Sequence, residues 1–307
     1  MILEEFALNP EAIKEWRDLN TITMNFGFHN GAVISLFPSS WVKNLQEKAQ
    51  FELNGTVQHQ WVIEKLKKIK DEILIKGGRD FDKKHDWIMN SIMQHEEKPF
   101  YKILHTEEVA GHTEVIRFEL LDEILFKDLR EGSIKRNATS FADVSELLLL
   151  NSKNIQFIDP YFSAKNKGFV KSLEAMLKKA GVFKRKNIAS IQFHTSFKHS
   201  NMDVNIDEEK KILDSYYNKI IPFGQKIEFF WWDDDGIAEI HPRYLVTEKG
   251  GIRFDRGFVE PNIVDQQEAE TDVLMMTLKM TASVSQKYRE ESSPYNVVDK
   301  HVLNGAG

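Results

Sequence analysis

Apolar and polar residues follow two spacings along the chain, and these spacings predict most of its helices and strands. Apolar residues three or four positions apart predict helices at 10–19, 41–51, 57–75, 83–95, 139–150, 168–180, 207–220 and 266–290. Short apolar or alternating runs predict strands at 99–106, 112–121, 155–162, 188–197, 226–232, 237–247 and 251–256. Residues 21–37 are also predicted to be extended, as a hairpin that turns at His29-Asn30-Gly31.

The order of these elements divides the chain into two domains and a tail. Residues 1–138 mix helices and strands, which predicts a smaller α+β domain. In residues 139–290 strands and helices alternate before three strands follow one another, which predicts an α/β domain with a mixed sheet sandwiched by helices. Residues 291–307 are predicted to form a flexible tail.

The composition narrows the classes of function. A net charge of -6 and a pI near 6.0 exclude a polycation that coats nucleic acid indiscriminately. The chain contains no cysteine, so zinc-thiolate sites and thiol nucleophiles are excluded, and no metal or other cofactor is predicted. No run approaches the roughly 18 apolar residues of a membrane helix, and the first residues lack a basic, apolar leader. We therefore expect a soluble, cytoplasmic protein.

The sharpest chemical signal is a histidine and an arginine on one predicted strand, His241-Pro242-Arg243, followed by Glu248 at a turn. Side chains two positions apart on a strand face the same way, so His241 and Arg243 are predicted to project toward one ligand. The imidazole could attack or donate a proton while the guanidinium holds phosphate oxygens. The Glu248 carboxylate could orient an imidazole of a neighbouring strand or of a partner subunit. These three residues form the predicted catalytic set.

This spacing resembles the signature of the phospholipase D superfamily, His-x-Lys-x4-Asp, with arginine in place of lysine and glutamate in place of aspartate. Residues 145–285 are most similar to the phospholipase-D-like carboxy-terminal domain that follows microtubule-interacting-and-transport domains. That family carries an Asp-Pro-Tyr strand end, a His-x-Arg strand and then Gly-Arg-Gly. The matching positions, in the same order, are Asp159-Pro160-Tyr161, His241-Pro242-Arg243 and Asp255-Arg256-Gly257.

The resemblance implies two different activities. Catalytic members of the superfamily use two histidines, one as the nucleophile that forms a phosphohistidine and one as the general acid. This chain has a single motif, so a homodimer would have to pair two copies of His241. The domain that follows microtubule-interacting-and-transport domains is instead regarded as a binding module for acidic phospholipid surfaces. Arg243 suits either activity, because a planar guanidinium holds phosphate through two hydrogen bonds.

Further residues are predicted to bind the phosphate ligand. They are Asp159, Tyr161, His194, Lys198, Arg253, Arg256, Lys184, Arg185 and Lys186. His194 could line the same pocket as His241 or be a satisfied histidine at a strand end. Residues 165–198 hold nine Lys or Arg and one acid, Glu174, which predicts a basic patch for a polyanion. The run Lys184-Arg185-Lys186 could equally be a solvated turn.

Two further clusters favour structural roles. Asp233-Asp234-Asp235 precede Gly236, which favours a hairpin turn over a metal site. Trp231 and Trp232 are predicted to lie on opposite faces of the sheet as part of the core rather than to stack on bases.

Three functions stay open. The first is a metal-independent phosphodiesterase, and specifically a nuclease, that acts as a homodimer. The second is a non-catalytic module for nucleic acid or anionic phospholipid. In the third, residues 1–138 recognise a protein partner within a larger complex, such as a bacterial antiviral defence system. Nucleic acid is favoured over lipid, because no amphipathic membrane-seeking helix accompanies the basic segment.

Overall fold

The structure is a computed structural model, and its two parts form separate compact units. It describes residues 2–121, 123–126, 128–179, 188–199, 202–217, 221, 225–233, 243–262 and 268–305. The first unit is Met1–Arg130 and the second is Glu131–Gly307. Within the described ranges, no helix is both long and apolar enough to cross a membrane.

The described residues of the first unit form a parallel sheet of five strands flanked by four α-helices. The strands are β1 (Glu4–Leu8), β2 (Ala32–Ser35), β3 (Leu74–Ile75), β4 (Ile103–His105) and β5 (Val115–Arg117). The helices are α1 (Asp18–Asn25), α2 (Trp41–Leu53), α3 (Val57–Glu72) and α4 (Trp87–Glu97). The strand order is β3-β2-β1-β4-β5, and each neighbouring pair is parallel. The chain therefore winds outward from β1 in one direction, then returns and winds outward in the other.

Helices α2 and α3 follow from apolar spacing and are confirmed. Val62, Leu66 and Ile69 lie on one side of α3 and are fully buried. Thr56 begins this helix, because its hydroxyl accepts a hydrogen bond from the backbone N–H of His59. The helix ends before β3, so the residues at 74–75, which were predicted to be helical, are extended.

The predicted hairpin at 21–37 is wrong. Most of its first arm belongs to α1, in which Leu19 and Ile22 lie one helical turn apart and are both buried. Its second arm is β2, which pairs in parallel with β1 and with β3. The first unit is therefore a parallel α/β sheet rather than the predicted α+β mixture.

The described residues of the second unit form a mixed sheet of eight strands and a separate two-stranded ribbon. The eight strands are β6 (Glu131–Lys135), β7 (Asn154–Ile158), β8 (Ser190–Ser196), β11 (Lys226–Asp233), β12 (Arg243–Thr247), β13 (Gly251–Phe254), β14 (Glu270–Met275) and β15 (Asn296–Asn304). The ribbon consists of β9 (Lys198–His199) and β10 (Met202–Asp203). The sheet order is β15-β11-β8-β7-β12-β13-β14-β6. Strands β7, β8 and β11 are parallel, and every other neighbouring pair is antiparallel.

Helices cover both faces of this sheet, as the α/β prediction required. They are α5 (Ala138–Leu150), α6 (Lys167–Lys179), α7 (Ile206–Tyr217) and α8 (Leu278–Lys287). On the face of α5 and α6, Phe162 contacts Phe169 of α6 and Phe193 of β8. On the face of α8, Val284 packs against Phe230 and Trp232. Trp231 and Trp232, which are adjacent on β11, are both buried, as predicted for core residues.

Several predictions for the second unit are wrong. The helix predicted at 266–290 is strand β14 followed by α8. Strands β11 and β12 are not hairpin partners, because β8 and β7 lie between them, so the hairpin predicted to join these two strands is wrong. Residues 131–138 were assigned to the first domain, but β6 pairs with β14 and therefore belongs to the second unit.

The predicted flexible tail at 291–307 is also wrong. Strand β15 pairs antiparallel with β11 along its whole length, from Lys226 opposite Asn304 to Asp233 opposite Asn296. The polar composition of this segment conceals an alternation in which Leu303 is fully buried and Val298 is exposed.

Shortening Leu303 to alanine tests whether β15 is part of the folded core. We expect Leu303→Ala to lower the free energy of unfolding by about 2–5 kcal/mol, because it leaves a cavity in the sheet core. The matched control is Val298→Ala on the same strand, whose exposed side chain predicts a change within about 0.5 kcal/mol. Urea denaturation measures both. A flexible tail would make the two variants equally neutral.

Candidate functional site

Polar residues collect at one edge of the second unit's sheet, where the parallel strands β7, β8 and β11 end. This edge is called the carboxyl edge below. Because β12 is antiparallel to β7, it begins at the same edge with Arg243. Strand β13 is antiparallel to β12 and ends there before Arg256, and β6 ends there before Arg136. Open α/β sheets bind ligands at this kind of edge.

A buried carboxylate, Asp159, organises the loops at the carboxyl edge. Its Oδ1 accepts the backbone N–H of Tyr161 at 3.0 Å, and its Oδ2 accepts the backbone N–H of Phe258 at 3.3 Å. The side chain is almost completely buried, and this burial raises its pKa from 3.8 to about 6 against the lowering effects of both backbone N–H groups and of Arg243. Asp159 thus joins the loop after β7 to the loop after β13.

Arg243 lies beside this carboxylate on the same face of the sheet. Its Nε is 3.9 Å from Asp159 Oδ1, which is an ion-pair distance but too long for a hydrogen bond. Its Nη1 donates to the backbone carbonyl of Asp255 at 2.7 Å, and its Cζ lies 5.0 Å from the ring centroid of Tyr161. The Nε atom is buried and has no hydrogen-bond partner among the described residues. The guanidinium is thus held in place while part of its donor capacity is unused.

Arg136 and Arg256 add two more positive charges near Arg243. Burial lowers the pKa of Arg136, and the positive charges of Arg256 and Arg243 lower it further, in that order. The Nε of Arg136 is also buried without a hydrogen-bond partner in the described part of the chain. The backbone N–H of Arg256 donates to Thr271 Oγ1, which fixes the start of its loop, while its side chain is exposed. Three guanidinium groups therefore lie close enough to interact with one another, and one of them, that of Arg243, pairs with the buried carboxylate of Asp159.

Gly257 makes this close approach possible. Its φ is +77°, a conformation that side chains with a Cβ rarely adopt. A Cβ at this position would lie 2.6 Å from Asp159 Oδ2 and 3.2 Å from Arg243 Nε. Glycine is therefore required where the loop after β13 passes over the buried ion pair.

Glu248, assigned to the catalytic set, lies at the other end of β12. Five residues of extended chain place it roughly 16 Å from Arg243. Its carboxylate accepts the backbone N–H groups of Lys153 and Asn154 at 2.7 and 2.9 Å, where β7 begins. The prediction that Glu248 shares a site with Arg243 is therefore wrong, because the motif's acid falls at the opposite edge of the sheet.

His194, predicted to line the pocket, lies inside the core on the face of α8. Its Cα is in register with Ile158, so its side chain points away from the face that carries Asp159. The indole N–H of Trp232 donates to His194 Nδ1 at 3.1 Å, and burial lowers the pKa of the imidazole to about 3. A neutral, enclosed imidazole of this kind does not contact a ligand at the carboxyl edge. His194 is thus a core histidine, but it is not fully satisfied as the alternative held, because its buried Nε2 has no hydrogen-bond partner among the described residues.

Arg253 and Lys198 also differ from their predicted roles. Arg253 is in register with Tyr244 and therefore projects to the face opposite Arg243, where its Nη2 lies 3.7 Å from Asp255 Oδ1. Lys198 follows β8 at the carboxyl edge, two strands from Arg243, and its Nζ is 3.4 Å from Asp233 Oδ1. Lys198 can therefore extend the site, whereas Arg253 cannot.

Five of the six described lysines of the basic segment at 165–198 pair with carboxylates, and four of these carboxylates come from elsewhere in the fold. Each of the following lysines pairs with a carboxylate: Lys165 with Glu208, Lys171 with Glu260, Lys178 with Glu174, Lys179 with Asp143, and Lys198 with Asp233. Counting charge along the sequence therefore overestimated the positive field of this segment. His241, Lys184, Arg185 and Lys186 lie outside the described residues.

Among the described residues, no group of three or more histidines and acids is placed to hold a metal ion. The aspartates considered as an alternative metal site include Asp233, which pairs with Lys198. Asp234 and Asp235 lie outside the described residues.

Comparisons with known proteins add little to this geometry. No family model matches the chain, and no curated protein matches it. Among solved structures, the chain matches TrmBL2, an archaeal chromatin protein whose structure is described as showing a novel mode of DNA binding, at 15% sequence identity and a TM-score of 0.29. The match covers 59% of this chain, which thus spans 57% of TrmBL2. A likeness this weak supports no argument about the fold or the site.

Sequence reasoning missed Arg136. It precedes Asn137, whose side chain accepts the N–H of Ser140 and caps α5, so it read as part of a helix boundary. Arg136 lies at the site because β6, the outermost strand on one side of the sheet, ends at the carboxyl edge. Only the pairing of β6 with β14 would have revealed this position.

The raised pKa of Asp159 predicts a pH-dependent stability. Between about pH 4 and 6 the folded chain holds a proton on Asp159 that the unfolded chain releases, so ionisation in the fold costs stability. We expect this residue's contribution to fall by about 3 kcal/mol as the pH rises through that window. The measurement is urea unfolding of the wild-type chain and of Asp159→Asn from pH 4 to 7. The wild type should lose stability relative to the variant as pH rises. A difference that is constant or grows would contradict the assignment.

Proposed function

We propose that the second unit recognises phosphate groups at its carboxyl edge through Arg136, Arg243 and Arg256. The observation that carries the proposal is that strands β6, β12 and β13 bring these three arginines to one edge of the sheet, where Arg256 and Arg243 lie close enough to Arg136 for their charges to act on it. Like charges repel, so a ligand that brings negative charge relieves this repulsion. The side chain of Arg256 is exposed and those of Arg136 and Arg243 are partly exposed, which leaves donors within reach of phosphate oxygens.

The arrangement favours a phosphodiester over a simple carboxylate. Several guanidinium groups at one edge can contact several oxygens of one phosphate or of consecutive phosphates. Tyr161 lies beside Arg243 and is 39% exposed as a residue, so a base next to a bound phosphate could stack on it. Nucleic acid supplies both phosphates and aromatic bases, whereas an anionic lipid headgroup supplies no aromatic ring that could stack on Tyr161. Nucleic acid is therefore the proposed partner.

Alanine variants of the arginines test this proposal. We expect Arg243→Ala and Arg136→Ala each to weaken binding of a 20-nucleotide DNA by about tenfold, because each loses a charge-assisted hydrogen bond to phosphate. We also expect the slope of log K against log [salt] to fall by about 1 for each variant. Fluorescence anisotropy between 50 and 200 mM NaCl measures both quantities.

Arg253→Ala is the matched control, because this arginine lies on the neighbouring strand and faces the other way. It should bind DNA within about twofold of the wild type. Equal weakening in all three variants would show that only the overall charge matters, and binding that ignores salt would overturn the proposal. Tight binding to phosphatidylserine vesicles with no binding to DNA or RNA would assign the site to lipid instead.

A second candidate function is cleavage of the phosphodiester. Its support is the position of His241 two residues before Arg243 in the motif that resembles the phospholipase D signature. In this reaction an imidazole nitrogen of His241 attacks phosphorus and the bond to the leaving oxygen breaks. A second His241 from a partner copy gives its proton to that oxygen, and water then hydrolyses the phosphohistidine. The reaction needs no metal ion.

Nuclease assays in excess EDTA test this candidate. We expect His241→Ala to lower the cleavage rate of single-stranded DNA or RNA by about 100-fold or more, since it removes both the nucleophile and the acid. His85→Ala, which changes an exposed histidine of the first unit, should leave the rate unchanged. Absence of EDTA-resistant cleavage in the wild type, or equal rates for the two variants, would leave phosphate recognition without catalysis.

A further inference from the structure

The first unit contains a cleft of about 770 Å³ that its parallel sheet places at the ends of its strands. The cleft is lined by residues after β1, such as Glu11, by the first two turns of α2, which reach Lys48, and by residues after β3, such as Lys83. Since β1, β2 and β3 are parallel, these segments meet at the carboxyl edge of this sheet. The cleft's size falls within the range of about 300–1,000 Å³ that is usual for small-molecule sites.

One wall of the cleft is aromatic. Phe81 packs edge-on against the buried ring of Phe37, with centroids 5.1 Å apart. Trp87 stacks near His105 with centroids 5.9 Å apart, and its indole N–H donates to the Phe37 carbonyl at 3.1 Å. Phe81 and Trp87 are only partly buried, and both line the cleft. These rings are held in place by neighbouring residues and are partly exposed to the cleft, so a planar ligand could stack on them.

Three of the other lining residues are charged: Glu11, Lys48 and Lys83. Lys48 donates one hydrogen bond to the carbonyl of Ile13 at 3.3 Å and lies 5.4 Å from the ring centroid of Trp16, so its position is fixed. An ammonium group has three donors, so Lys48 keeps capacity for a ligand. Lys83 is exposed and also lines the cleft. Glu11, also exposed, supplies a carboxylate that can accept hydrogen bonds from hydroxyl groups.

We propose that this cleft binds a nucleoside monophosphate or a larger nucleotide. The rings of Phe81 and Trp87 contact the base, and the carboxylate of Glu11 accepts hydrogen bonds from the ribose hydroxyls. The ammonium groups of Lys48 and Lys83 bind the phosphate. A sugar phosphate would leave the rings of Phe81 and Trp87 without a partner, and a nucleoside would leave the two lysines without one. The proposal concerns the first unit alone and is independent of the phosphate site in the second.

Calorimetric titration of the full chain with AMP, GMP, CMP, UMP and ATP tests the proposal. The chain carries Arg243→Ala throughout, which weakens phosphate binding at the second unit's carboxyl edge, and all variants of the cleft are compared in this same background. At least one nucleotide should bind, and Lys83→Ala should weaken it about fivefold or more, because an ammonium–phosphate contact is lost. Lys84→Ala is the matched control. Its side chain is exposed next to Lys83 and does not line the cleft, so affinity should stay within about twofold.

Two partial ligands separate the parts of the proposal. Adenosine and ribose 5-phosphate should each bind more weakly than AMP, because each lacks one of the two groups that the cleft contacts. The proposal is overturned if no nucleotide binds at 5 mM, a concentration chosen well above a typical ligand Kd of about 1 mM or less. It is also overturned if Lys83→Ala and Lys84→Ala weaken binding equally, or if ribose 5-phosphate binds as tightly as AMP.

Discussion

The second unit's site depends on one buried carboxylate. Asp159 accepts backbone N–H groups from the loop after β7 and the loop after β13, and it lies at ion-pair distance from Arg243 at the start of β12. Three strands are thereby tied together at their ends. Burial raises the pKa of this carboxyl to about 6, so the same contact that orders the loops is costly to ionise. The nearby guanidinium offsets part of that cost, which ties the position of Arg243 to the charge of Asp159.

Alternation along the strands then decides which charged residues can reach a common ligand. Arg243 lies on the face of Asp159, whereas Arg253 on the next strand is in register with Tyr244 and faces the other way. The same rule sends His194 to the face of α8, where it packs between Phe230 and Trp232. Residue type alone would group these side chains, but the pleat of the sheet separates them. The candidate site therefore contains fewer of the predicted residues than the sequence motifs suggest. It also includes Arg136, which was not predicted and which follows β6.

Elements that depend on the local spacing of apolar residues could be predicted from the sequence. The pairing of strands that lie far apart in the chain could not. Helices α2, α3, α5 and α6 carry apolar residues at helical spacing, and their apolar faces are buried, so local pattern was sufficient. The parallel pairing of β1 with β2 was missed, because no strand was predicted at Glu4–Leu8 and the residues of α1 from position 21 onward were predicted to be extended. Strand β15 was missed because polar residues such as Asp299 and His301 interrupt its apolar positions and its partner, β11, lies far away in sequence. Glu248 was misplaced because a motif gives spacing along the chain but not the edge at which each residue lies.

The charge counted along the sequence also differs from the charge that the folded chain presents. The lysines at 165–198 are abundant in sequence, but four of them pair with acids from other segments, such as Lys165 with Glu208 and Lys171 with Glu260. Exposed pairs of this kind contribute little to stability, yet each one cancels a charge that could attract a polyanion. The arginines at the carboxyl edge are few, but three of them lie close together, and Arg243 is the one at ion-pair distance from the buried carboxylate of Asp159. The surface that would bind an anion most strongly is therefore found from the local excess of positive charge in the folded chain. The number of lysines and arginines along the sequence does not identify it.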